Sequence, residues 1–370
     1  MLYILARTQK KKKKKERKKL RTCALMAVAG QCRQYQTTLS RLMMMMMMMA
    51  GLWLGSFVYV SRAQDPSQLS LDYYSKTCPD AQKVVRTEME CAVKEDPRNA
   101  AAILRLHFHD CFVQGCDGSV LLDDTATLKG EKTASQNVNS LIGFDLVDRI
   151  KNQLESKCPG TVSCADLLAV AARDATLLVG GPYWDVPVGR RDAKSTSLEL
   201  ADADIPTPHQ GLVAQMTKFL EKGLSVTDLV ALVGAHTIGM ARCTSFRERI
   251  YGGFELTSHL DLASEALLGK LRKTCPVSGG DDKLAAMDHV TPYLFDNAFY
   301  ESLVGGDGLL SSDQELYSSL IGFDTADLVK TYASDALAFF KQFSDSMVRM
   351  GNITNPVGGE VRTNCRFINT

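Results

Sequence analysis

The spacing of apolar residues constrains the fold more than any other feature of this sequence. From residue 80 onwards they recur every three or four positions, as on the buried face of an amphipathic helix. Strand signals are few and short, so we predict a mostly α protein. Ser163 and Ser225, each followed by an aspartate three residues later, have the pattern of helix N-terminal caps. The predicted helices cover 80–94, Asp96-Pro97 to about Phe112, Ser163 to Gly180-Gly181, 210–222, Ser225 through His236, 260–274, 296–304 and 325–350.

Cysteines indicate the compartment in which the chain folds. Nine of the eleven follow residue 68, so one of these nine is left without an intramolecular partner. Eight paired cysteines are typical of an oxidising compartment, although spacing alone leaves on the order of a hundred pairings open. Cys91 lies near the edge of an apolar stripe, and we predict a buried free thiol there. Asn352-Ile353-Thr354 is an acceptor sequence for N-glycosylation on the same secretory route.

The first 67 residues differ in composition from the rest. They contain 14 Lys and Arg against two acidic residues, with the runs KKKKKKERKK at 10–19 and LMMMMMMMAGLWLGSFVYV at 42–60. The basic run resembles a nuclear-localisation or phosphate-binding patch, and the apolar run is long enough to span a bilayer. However, Arg41 precedes the apolar run and Ala63 follows it, as in a secretory signal peptide. We therefore predict an N-terminal extension plus a cleaved signal peptide over 1–63, with an uncleaved anchor as the alternative.

Residues 68–370 are acidic. The chain has 43 basic and 42 acidic residues, and removing the 14 and 2 of the first 67 residues leaves 29 against 40, a net charge of −11. An acidic protein repels a phosphate backbone, so we expect no nucleic-acid partner.

The densest group of chemically active residues is RLHFHDCFVQGCDGS at 105–119. On a helix, Arg105 and His109 are four positions apart and lie on one face, whereas His107 points elsewhere. That geometry disfavours a zinc site built from His107, His109, Cys111 and Cys116. In an oxidising compartment the two cysteines are instead expected to pair with each other.

The residues after His109 favour a different metal. They offer carboxylates, a hydroxyl and backbone carbonyls on a loop that contains glycine, at Asp110, Val113, Gly115, Asp117 and Ser119. Hard oxygen ligands of this kind are what calcium prefers. Spacing alone equally allows a helix C-terminus with solvated aspartates.

A second histidine, His236, lies on the apolar stripe of the helix predicted to begin at Ser225. A lone histidine on such a face is usually a hydrogen-bonded core residue. Here Thr237 follows it, and MDHVTPYLFDN supplies further oxygen ligands for a second calcium site, at Asp288, Thr291, Leu294 and Asp296. Asp313, in GLLSSDQELY, is a carboxylate that can accept the other ring N–H of a metal-bound His236.

Taken together, these motifs resemble the secreted plant haem peroxidases, the class III family that includes horseradish peroxidase. The matching text is RLHFHDCFVQGCDGS, TVSCADLLAVAARD, LVALVGAHTIG, TPYLFDNAFY and GLLSSDQELY. The resemblance implies one haem peroxidase domain over 68–370, with a two-lobed, mostly α fold and haem b between distal and proximal helical regions. It also implies two Ca²⁺ ions and four disulfides, Cys78–Cys158, Cys111–Cys116, Cys164–Cys365 and Cys243–Cys275.

The same resemblance implies roles for individual side chains. His236 would be the axial ligand of the haem iron, and Asp313 would hold its other ring nitrogen. On the opposite face, His109 would move a proton of hydrogen peroxide, and Arg105 would stabilise negative charge as the O–O bond breaks. We expect His109 to be neutral, because burial and the charge of Arg105 both lower its pKa. The other implied residues are Asn137, which orients His109; Glu131, which extends this path to the distal calcium; Phe108, which crowds the space over the iron; and Pro206, which lines the donor entrance.

The implied activity is that of a phenolic donor:hydrogen-peroxide oxidoreductase. Such an enzyme reduces hydrogen peroxide and oxidises phenolic donors by successive one-electron steps through a ferryl haem intermediate. The implied roles are hydrogen peroxide catabolism, the response to oxidative stress and cell-wall cross-linking. We expect a monomer in the extracellular space or cell wall, without stable membrane association after signal cleavage. Two other hypotheses are a secreted calcium-binding helical protein without activity and a zinc hydrolase.

Overall fold

Helices make up most of the protein, as predicted. The structure is a computed structural model that describes residues 69–252, 264–355 and 359–370. The helices are α1 (Ala81–Glu95), α2 (Arg98–Phe112), α3 (Phe144–Lys157), α4 (Cys164–Leu178), α5 (Leu198–Asp204), α6 (Leu212–Glu221), α7 (Val226–Val233), α8 (Arg247–Tyr251), α9 (Glu265–Thr274), α10 (Ala298–Val304), α11 (Ser311–Ser318), α12 (Phe323–Ser334) and α13 (Ala336–Gly351). Two strands, β1 (Met240–Arg242) and β2 (Leu284–Ala286), form the only sheet within those ranges.

A first helical group surrounds α2 and α4. The helix α2 begins directly after Pro97, whose fixed φ suits a first turn, and Asp96 Oδ1 accepts the Arg98 N–H at 2.9 Å. Its main partner is α4, in which every residue from Cys164 to Thr176 is buried. A helix buried on all sides needs mostly apolar and small residues around its circumference, which CADLLAVAARDAT provides. The helices α1 and α3 pack around this pair.

A second helical group is held together by buried aromatic rings. Phe339 on α13 lies among them, with its ring centroid 5.6 Å from that of Phe295, 4.9 Å from Tyr300 and 5.8 Å from Phe343. Aromatic side chains bury large apolar areas and pair favourably at these distances. The helix α7 packs against α6, α12 and α13, and α10 packs against α11 and α12. Because α13 also contacts α2, the two groups share one hydrophobic core.

A smaller hydrophobic core lies beside the two strands. It contains Phe246, Ile250 and Leu271, together with the Cys243–Cys275 disulfide. The strands are antiparallel, with Met240 opposite Ala286 and Arg242 opposite Leu284. This pairing matters for the site, because Thr237 lies just before β1 and Asp288 just after β2.

The disulfide pairing follows the one that the resemblance implied. The four bonds are Cys78–Cys158, Cys111–Cys116, Cys164–Cys365 and Cys243–Cys275. The prediction for Cys91 is wrong, because this free cysteine is exposed. The buried face of α1 contains Val85, Met89 and Ala92, and Cys91 lies about 200° around the helix from Met89. It therefore faces solvent.

We expect the folded protein to react with a thiol reagent at Cys91, because its side chain is exposed and unpaired. Alkylation without reductant, followed by peptide mass spectrometry, should modify Cys91 and leave the eight paired cysteines unmodified. Protection of Cys91, or labelling of any of those eight, would contradict the fold.

Two helices differ from their predicted extents. The helix predicted over 325–350 is divided at Asp335, whose Oδ1 accepts the N–H groups of Leu337 and Ala338 at 2.9 and 3.0 Å and caps α13. Asn297 Nδ2 donates to the last carbonyls of α12, at Tyr332 and Ala333, so the division is stabilised on both sides. Local periodicity continues across the break, which is why the sequence alone did not reveal it.

The helix that begins at Ser225 ends before His236, contrary to the prediction. The capping box of Ser225 and Asp228 is present, but α7 stops at Val233 and a 3₁₀ turn covers Gly234–Thr237. Tyr300 Oη donates to the Val230 carbonyl at 2.8 Å and so occupies the acceptor that the next helical turn would use. The Gly234 N–H bonds to the Ala231 carbonyl instead.

Among the described residues, no helix is both long enough and apolar enough to cross a bilayer. The predicted extension and signal peptide at 1–63, and the first residues of the helix predicted over 260–274, lie outside the described residues.

Candidate active site

A chain of hydrogen bonds joins Arg105 and His109, both on α2, to Asn137. Arg105 Nε donates to His109 Nε2 at 3.1 Å, and Asn137 Oδ1 lies 2.6 Å from His109 Nδ1. The spacing of four residues on one helix brings the arginine and the histidine together, as predicted. Asn137 follows a 3₁₀ turn, and its Nδ2 donates to the Glu131 carbonyl at 2.8 Å.

These contacts indicate the tautomer of His109. Because Asn137 Nδ2 donates to a carbonyl, Oδ1 is the atom that faces His109, and this oxygen can only accept. The ring proton is therefore on Nδ1, and Nε2 keeps its lone pair. Burial lowers the pKa of His109 well below its usual value, and the charge of Arg105 lowers it further. His109 is thus neutral at pH 7.

The guanidinium of Arg105 is held by the residues on either side of Asn137. Nη1 donates to the Ser140 carbonyl at 3.0 Å, and Nη2 donates to the Gln136 carbonyl at 2.9 Å. Burial lowers the pKa of Arg105 to about 10, which still leaves it charged at neutral pH. Sequence reasoning did not find these two partners, because they act through backbone atoms that any residue supplies.

Three carboxylates meet in the interior near this chain. Asp110, Asp117 and Glu131 are each no more than 1% exposed. Burial raises the pKa of all three, that of Glu131 to about 8. Asp110 Oδ1 and Glu131 Oε2 have no hydrogen-bond donor within the described residues. A buried carboxylate oxygen that lacks a donor is costly unless a cation is present, so this cluster fits a metal ion.

The loop that carries the other predicted ligands of this cluster has an unusual backbone. Gln114 and Gly115 have φ angles of +65° and +102°. A Cβ at Gly115 would lie 2.9 Å from the Ile353 carbonyl oxygen, so only glycine fits there. Val113 and Ser119 are buried on either side of this turn.

The structure does not support the alternative of a zinc site, because its two cysteines are not available as thiolate ligands. Cys111 and Cys116 form a disulfide, and the nearest ring nitrogen of His107 lies 3.6 Å from Cys111 Sγ. Burial and the charge of Arg190 lower the pKa of His107 to about 3. His107 is therefore a neutral core residue that points away from His109.

The second histidine pairs with a buried carboxylate. His236 Nδ1 lies 3.0 Å from Asp313 Oδ1 and 3.1 Å from Oδ2. Asp313 is in the first turn of α11 and is 1% exposed, whereas 38% of the His236 side chain is accessible. The imidazole therefore has one nitrogen bound to a carboxylate and part of the ring accessible. Phe299 packs edge-on against this ring, with centroids 6.1 Å apart.

The predicted oxygen ligands after His236 converge. Thr237 Oγ1 lies 3.2 Å from Asp288 Oδ2, 3.3 Å from Asp296 Oδ1 and 3.5 Å from the Leu294 carbonyl oxygen. Thr291 Oγ1 lies 3.2 and 3.0 Å from oxygens of the same two carboxylates. The strand pairing of β1 and β2 brings together residues that are far apart in sequence. Hydroxyl, carboxylate and carbonyl oxygens at these distances fit a hard cation.

Three other predicted site residues lie on separate elements. Phe108 is half-buried on α2, with its ring centroid 5.6 Å from that of His109. Pro206 is half-buried, two residues after α5. Asn352 is exposed directly after α13.

Side chains that sequence reasoning did not find complete the buried acidic cluster. Asn355 Nδ2 donates to Asp117 Oδ2 at 2.6 Å, and Thr196 Oγ1 donates to Glu131 Oε1 at 3.0 Å. Both come from segments remote in sequence, and neither lies in a recognisable motif.

Comparison with known proteins supplies the class and the family to which this helical fold and its two histidine sites belong. The peroxidase family matches residues 85–335. Peroxidase 11 of Arabidopsis thaliana is 62% identical over 307 residues, covering 82% of this chain and 91% of that protein. Peroxidase 49 of Arabidopsis thaliana is 49% identical over 300 residues, 80% of this chain and 90% of that one. Peroxidase 70 of Zea mays is 49% identical over 308 residues, 82% of this chain and 92% of that one.

This chain belongs to the peroxidase family, among the plant class III peroxidases. It is an enzyme that carries a haem cofactor and uses hydrogen peroxide to oxidise reducing substrates. The resemblance in the sequence motifs is thereby confirmed at the level of family, fold and activity.

Proposed function

We propose that this protein is a secreted peroxidase that oxidises small phenolic donors, with haem b between His236 on one face and Arg105 and His109 on the other. The observation that carries the proposal is the pair of complementary histidines. Each has its Nδ1 bound to a side-chain oxygen, of Asn137 or Asp313, which makes Nε2 the proposed reacting atom. In the structure His109 Nε2 accepts the Arg105 Nε–H at 3.1 Å.

The residues around His236 fit a haem iron. Neutral imidazole nitrogen is a common axial ligand, and Asp313 is placed to accept the other ring N–H. A carboxylate that accepts this proton gives the ring more negative charge and strengthens its donation to a metal. When bound, the haem supplies the redox chemistry, and Asp313 is the residue that tunes it.

His109 is the proposed acid–base group for hydrogen peroxide. Its neutral ring has a lone pair on Nε2, which takes the first proton from the peroxide and later returns it to the leaving oxygen. Asn137 keeps the ring in this tautomer by accepting the Nδ1–H. The hydrogen bond from Asn137 Nδ2 to the Glu131 carbonyl fixes the orientation of the Asn137 amide. The backbone of Glu131, a member of the acidic cluster, therefore helps to orient the His109 ring.

Arg105 is the proposed electrostatic partner of His109. Its charge is permanent at neutral pH, and two backbone carbonyls fix its position before peroxide arrives. A preorganised cation next to the O–O bond stabilises the negative charge that develops as the bond breaks. Burial chiefly lowers the pKa of His109, and the charge of Arg105 lowers it further, so His109 is unprotonated between turnovers.

We also propose two calcium ions. The first is held by the side chains or backbone of Asp110, Val113, Gly115, Asp117, Ser119 and Glu131, and the second by Thr237, Asp288, Thr291, Leu294 and Asp296. The buried carboxylate oxygens of Asp110 and Glu131 that lack hydrogen-bond donors support the first ion, and the convergent oxygens support the second. The first ion would stabilise the position of His109 through Glu131 and Asn137. The second would stabilise the position of His236 through the adjacent Thr237.

Calcium removal is expected to make stability depend on pH. In the calcium-free protein the pKa of Glu131 rises from 4.5 to about 8 on folding, so the unfolded chain ionises first as pH rises. Stability is then full below about pH 4.5 and falls until about pH 8, by several kcal/mol in order of magnitude. Thermal melts with and without chelator between pH 5 and 8 should diverge as pH rises. Parallel curves would contradict the first calcium site.

The donor specificity is proposed to be broad. Phe108 beside His109 would keep donors away from the iron and restrict them to the haem edge, with Pro206 lining the entrance. Electron removal at an exposed edge needs little shape recognition, so phenols of varied substitution should react. Purified haem-containing protein should show a Soret band and oxidise guaiacol with hydrogen peroxide. A haem protein that reacts with peroxide but oxidises no phenol in a panel would overturn the choice of donor.

We propose that residues 1–63 are removed on secretion and that residues 68–370 form a monomeric extracellular or cell-wall enzyme, glycosylated at Asn352. Four disulfides and the exposed Asn352 support this route. Mass spectrometry of the secreted protein, before and after glycosidase treatment, tests the mature N-terminus and the glycan. A product that retains residues 1–63 would contradict the leader assignment.

A further inference from the structure

A buried glutamine on α6 is not explained by packing. The helix buries Leu212, Gln215 and Phe219 on one face, at the spacing where apolar residues are expected. Gln215 is only 3% exposed. A buried amide is unfavourable unless it is hydrogen-bonded, so the contacts of this side chain indicate why glutamine is there.

Gln215 joins two parts of the proposed active site. Its Nε2 donates to the Ser312 carbonyl at 3.0 Å and to the Gln210 carbonyl at 3.1 Å. Ser312 directly precedes Asp313, the partner of His236. Gln210 belongs to the entrance segment, which we define as residues 206–211 and which begins with Pro206.

Two further bonds join the same elements. The Ser312 N–H donates to the Pro208 carbonyl at 3.2 Å, and Glu315 Oε2 accepts the Leu212 N–H at 2.6 Å. Leu212 is the first residue of α6, and the residue before it, Gly211, provides no side-chain cap. The carboxylate of Glu315 on α11 therefore caps α6. A Cβ at Gly211 would lie 3.3 Å from Glu315 Oε2, so a larger residue there would press on this contact.

The entrance segment is itself ordered by hydrogen bonds. Gln210 Oε1 accepts the Thr207 N–H at 3.1 Å, and the Gln210 N–H donates to the Thr207 carbonyl at 3.2 Å. A displacement of residues 206–208 is therefore passed to Gln210, then through Gln215 to Ser312. The helix α11 has only eight residues, so a small shift of its first turn moves the Asp313 carboxylate relative to His236 Nδ1.

We propose that Gln215 is a positioning residue for the Asp313–His236 hydrogen bond and couples it to the entrance segment. This inference rests on the proposed role of His236 as the iron ligand. Hydrogen-bond strength depends steeply on distance and angle, and the bond to the second imidazole nitrogen sets how strongly the ring donates to iron. A donor bound against residues 206–208 would then alter the iron–imidazole bond without contact to His236.

The test is the iron–imidazole stretching frequency of the ferrous holoenzyme, measured by resonance Raman spectroscopy. Gln215→Met keeps the side-chain length and removes both N–H donors. We expect a lower frequency than in the wild type, in the same direction as Asp313→Asn but smaller, together with a higher iron reduction potential. A phenolic donor should shift the wild-type frequency and should no longer shift that of Gln215→Met.

A matched control lies on the same helix. Thr217 is exposed and its Oγ1 donates to the Val213 carbonyl at 2.9 Å, so Thr217→Val removes a polar group from α6 without touching α11. This variant should keep the wild-type frequency and donor response. Glu315→Gln provides a second route to the same coupling, should Gln215→Met not fold, and is expected to lower the frequency because it weakens the cap on Leu212.

These measurements distinguish failure of the positioning role of Gln215 from failure of His236 as the iron ligand. Wild-type frequency and donor response in both Gln215→Met and Glu315→Gln would overturn the positioning role and leave the iron ligand intact. A wild-type holoenzyme without any iron–imidazole band would overturn the ligand assignment, and the inference with it.

Discussion

Replacing His236 with alanine is expected to abolish stable haem binding. His236 is the only residue proposed to bond to the iron. Neither of its two neighbours described above can take its place, since Asp313 is buried and Phe299 has no ligand atom. Each tenfold loss of affinity corresponds to only about 1.4 kcal/mol, so losing a coordination bond should weaken haem binding by many tenfold steps and leave the purified protein with little haem. The ratio of Soret to protein absorbance after purification measures this directly.

Two control variants make the result specific. Asp313→Asn keeps the ligand, so it should retain haem while changing its spectrum. His209→Ala removes an exposed histidine of the entrance segment that is not proposed to bond to the iron, and it should retain wild-type haem content. A His236→Ala protein that keeps a normal five-coordinate haem spectrum would contradict the ligand assignment.

Replacing His109 with leucine is expected to leave the haem in place and slow its reaction with hydrogen peroxide severely. Removal of a general acid–base group alone costs about 10²- to 10⁴-fold, and loss of peroxide positioning adds to this. Leucine fills similar space, so the change is chemical rather than a packing defect. Rapid mixing with peroxide, followed at the Soret band, gives the second-order rate constant.

A variant of Asn137 tests the importance of the fixed His109 tautomer separately from the presence of the base. Asn137→Val removes the acceptor for the His109 Nδ1–H and should give a rate between those of the wild type and His109→Leu, because the base remains but its tautomer is no longer fixed. A His109→Leu rate within about tenfold of the wild type would exclude the acid–base role.

The central features of the fold and site are predictable from sequence where they depend on local geometry. Helical spacing places Arg105 and His109 on one face, and the structure joins them at 3.1 Å. The Ser163 and Ser225 caps begin α4 and α7 as predicted, because an N-cap depends on a side chain and a backbone N–H three residues apart. The disulfide pairing came from family resemblance and not from spacing.

The features that sequence reasoning missed depend on contacts between distant segments. His236 lies in a 3₁₀ turn because Tyr300 takes the Val230 carbonyl. In the sequence Gln215 is a polar residue at an apolar position of its helix, and only its hydrogen bond to the Ser312 carbonyl explains why it is there. Periodicity describes which face of a helix is buried, but not which polar group lies against that face.

Cys91 illustrates a different limit. Its position near an apolar stripe suggested burial, yet the stripe of α1 covers only Ala81, Val85, Met89 and Ala92. Cys91 lies about 100° around the helix from Ala92 and about 200° from Met89, and only the arrangement of neighbouring helices decides how far the buried face extends.

The central claim is that a haem lies between the two histidines with one face free of protein ligands. A crystal structure of the purified haem-containing protein tests it most directly. The account predicts iron bonded to His236 Nε2 and an iron face without a protein ligand below Arg105 and His109. An iron bonded to any other residue, or a porphyrin bound outside these two histidines, would contradict it.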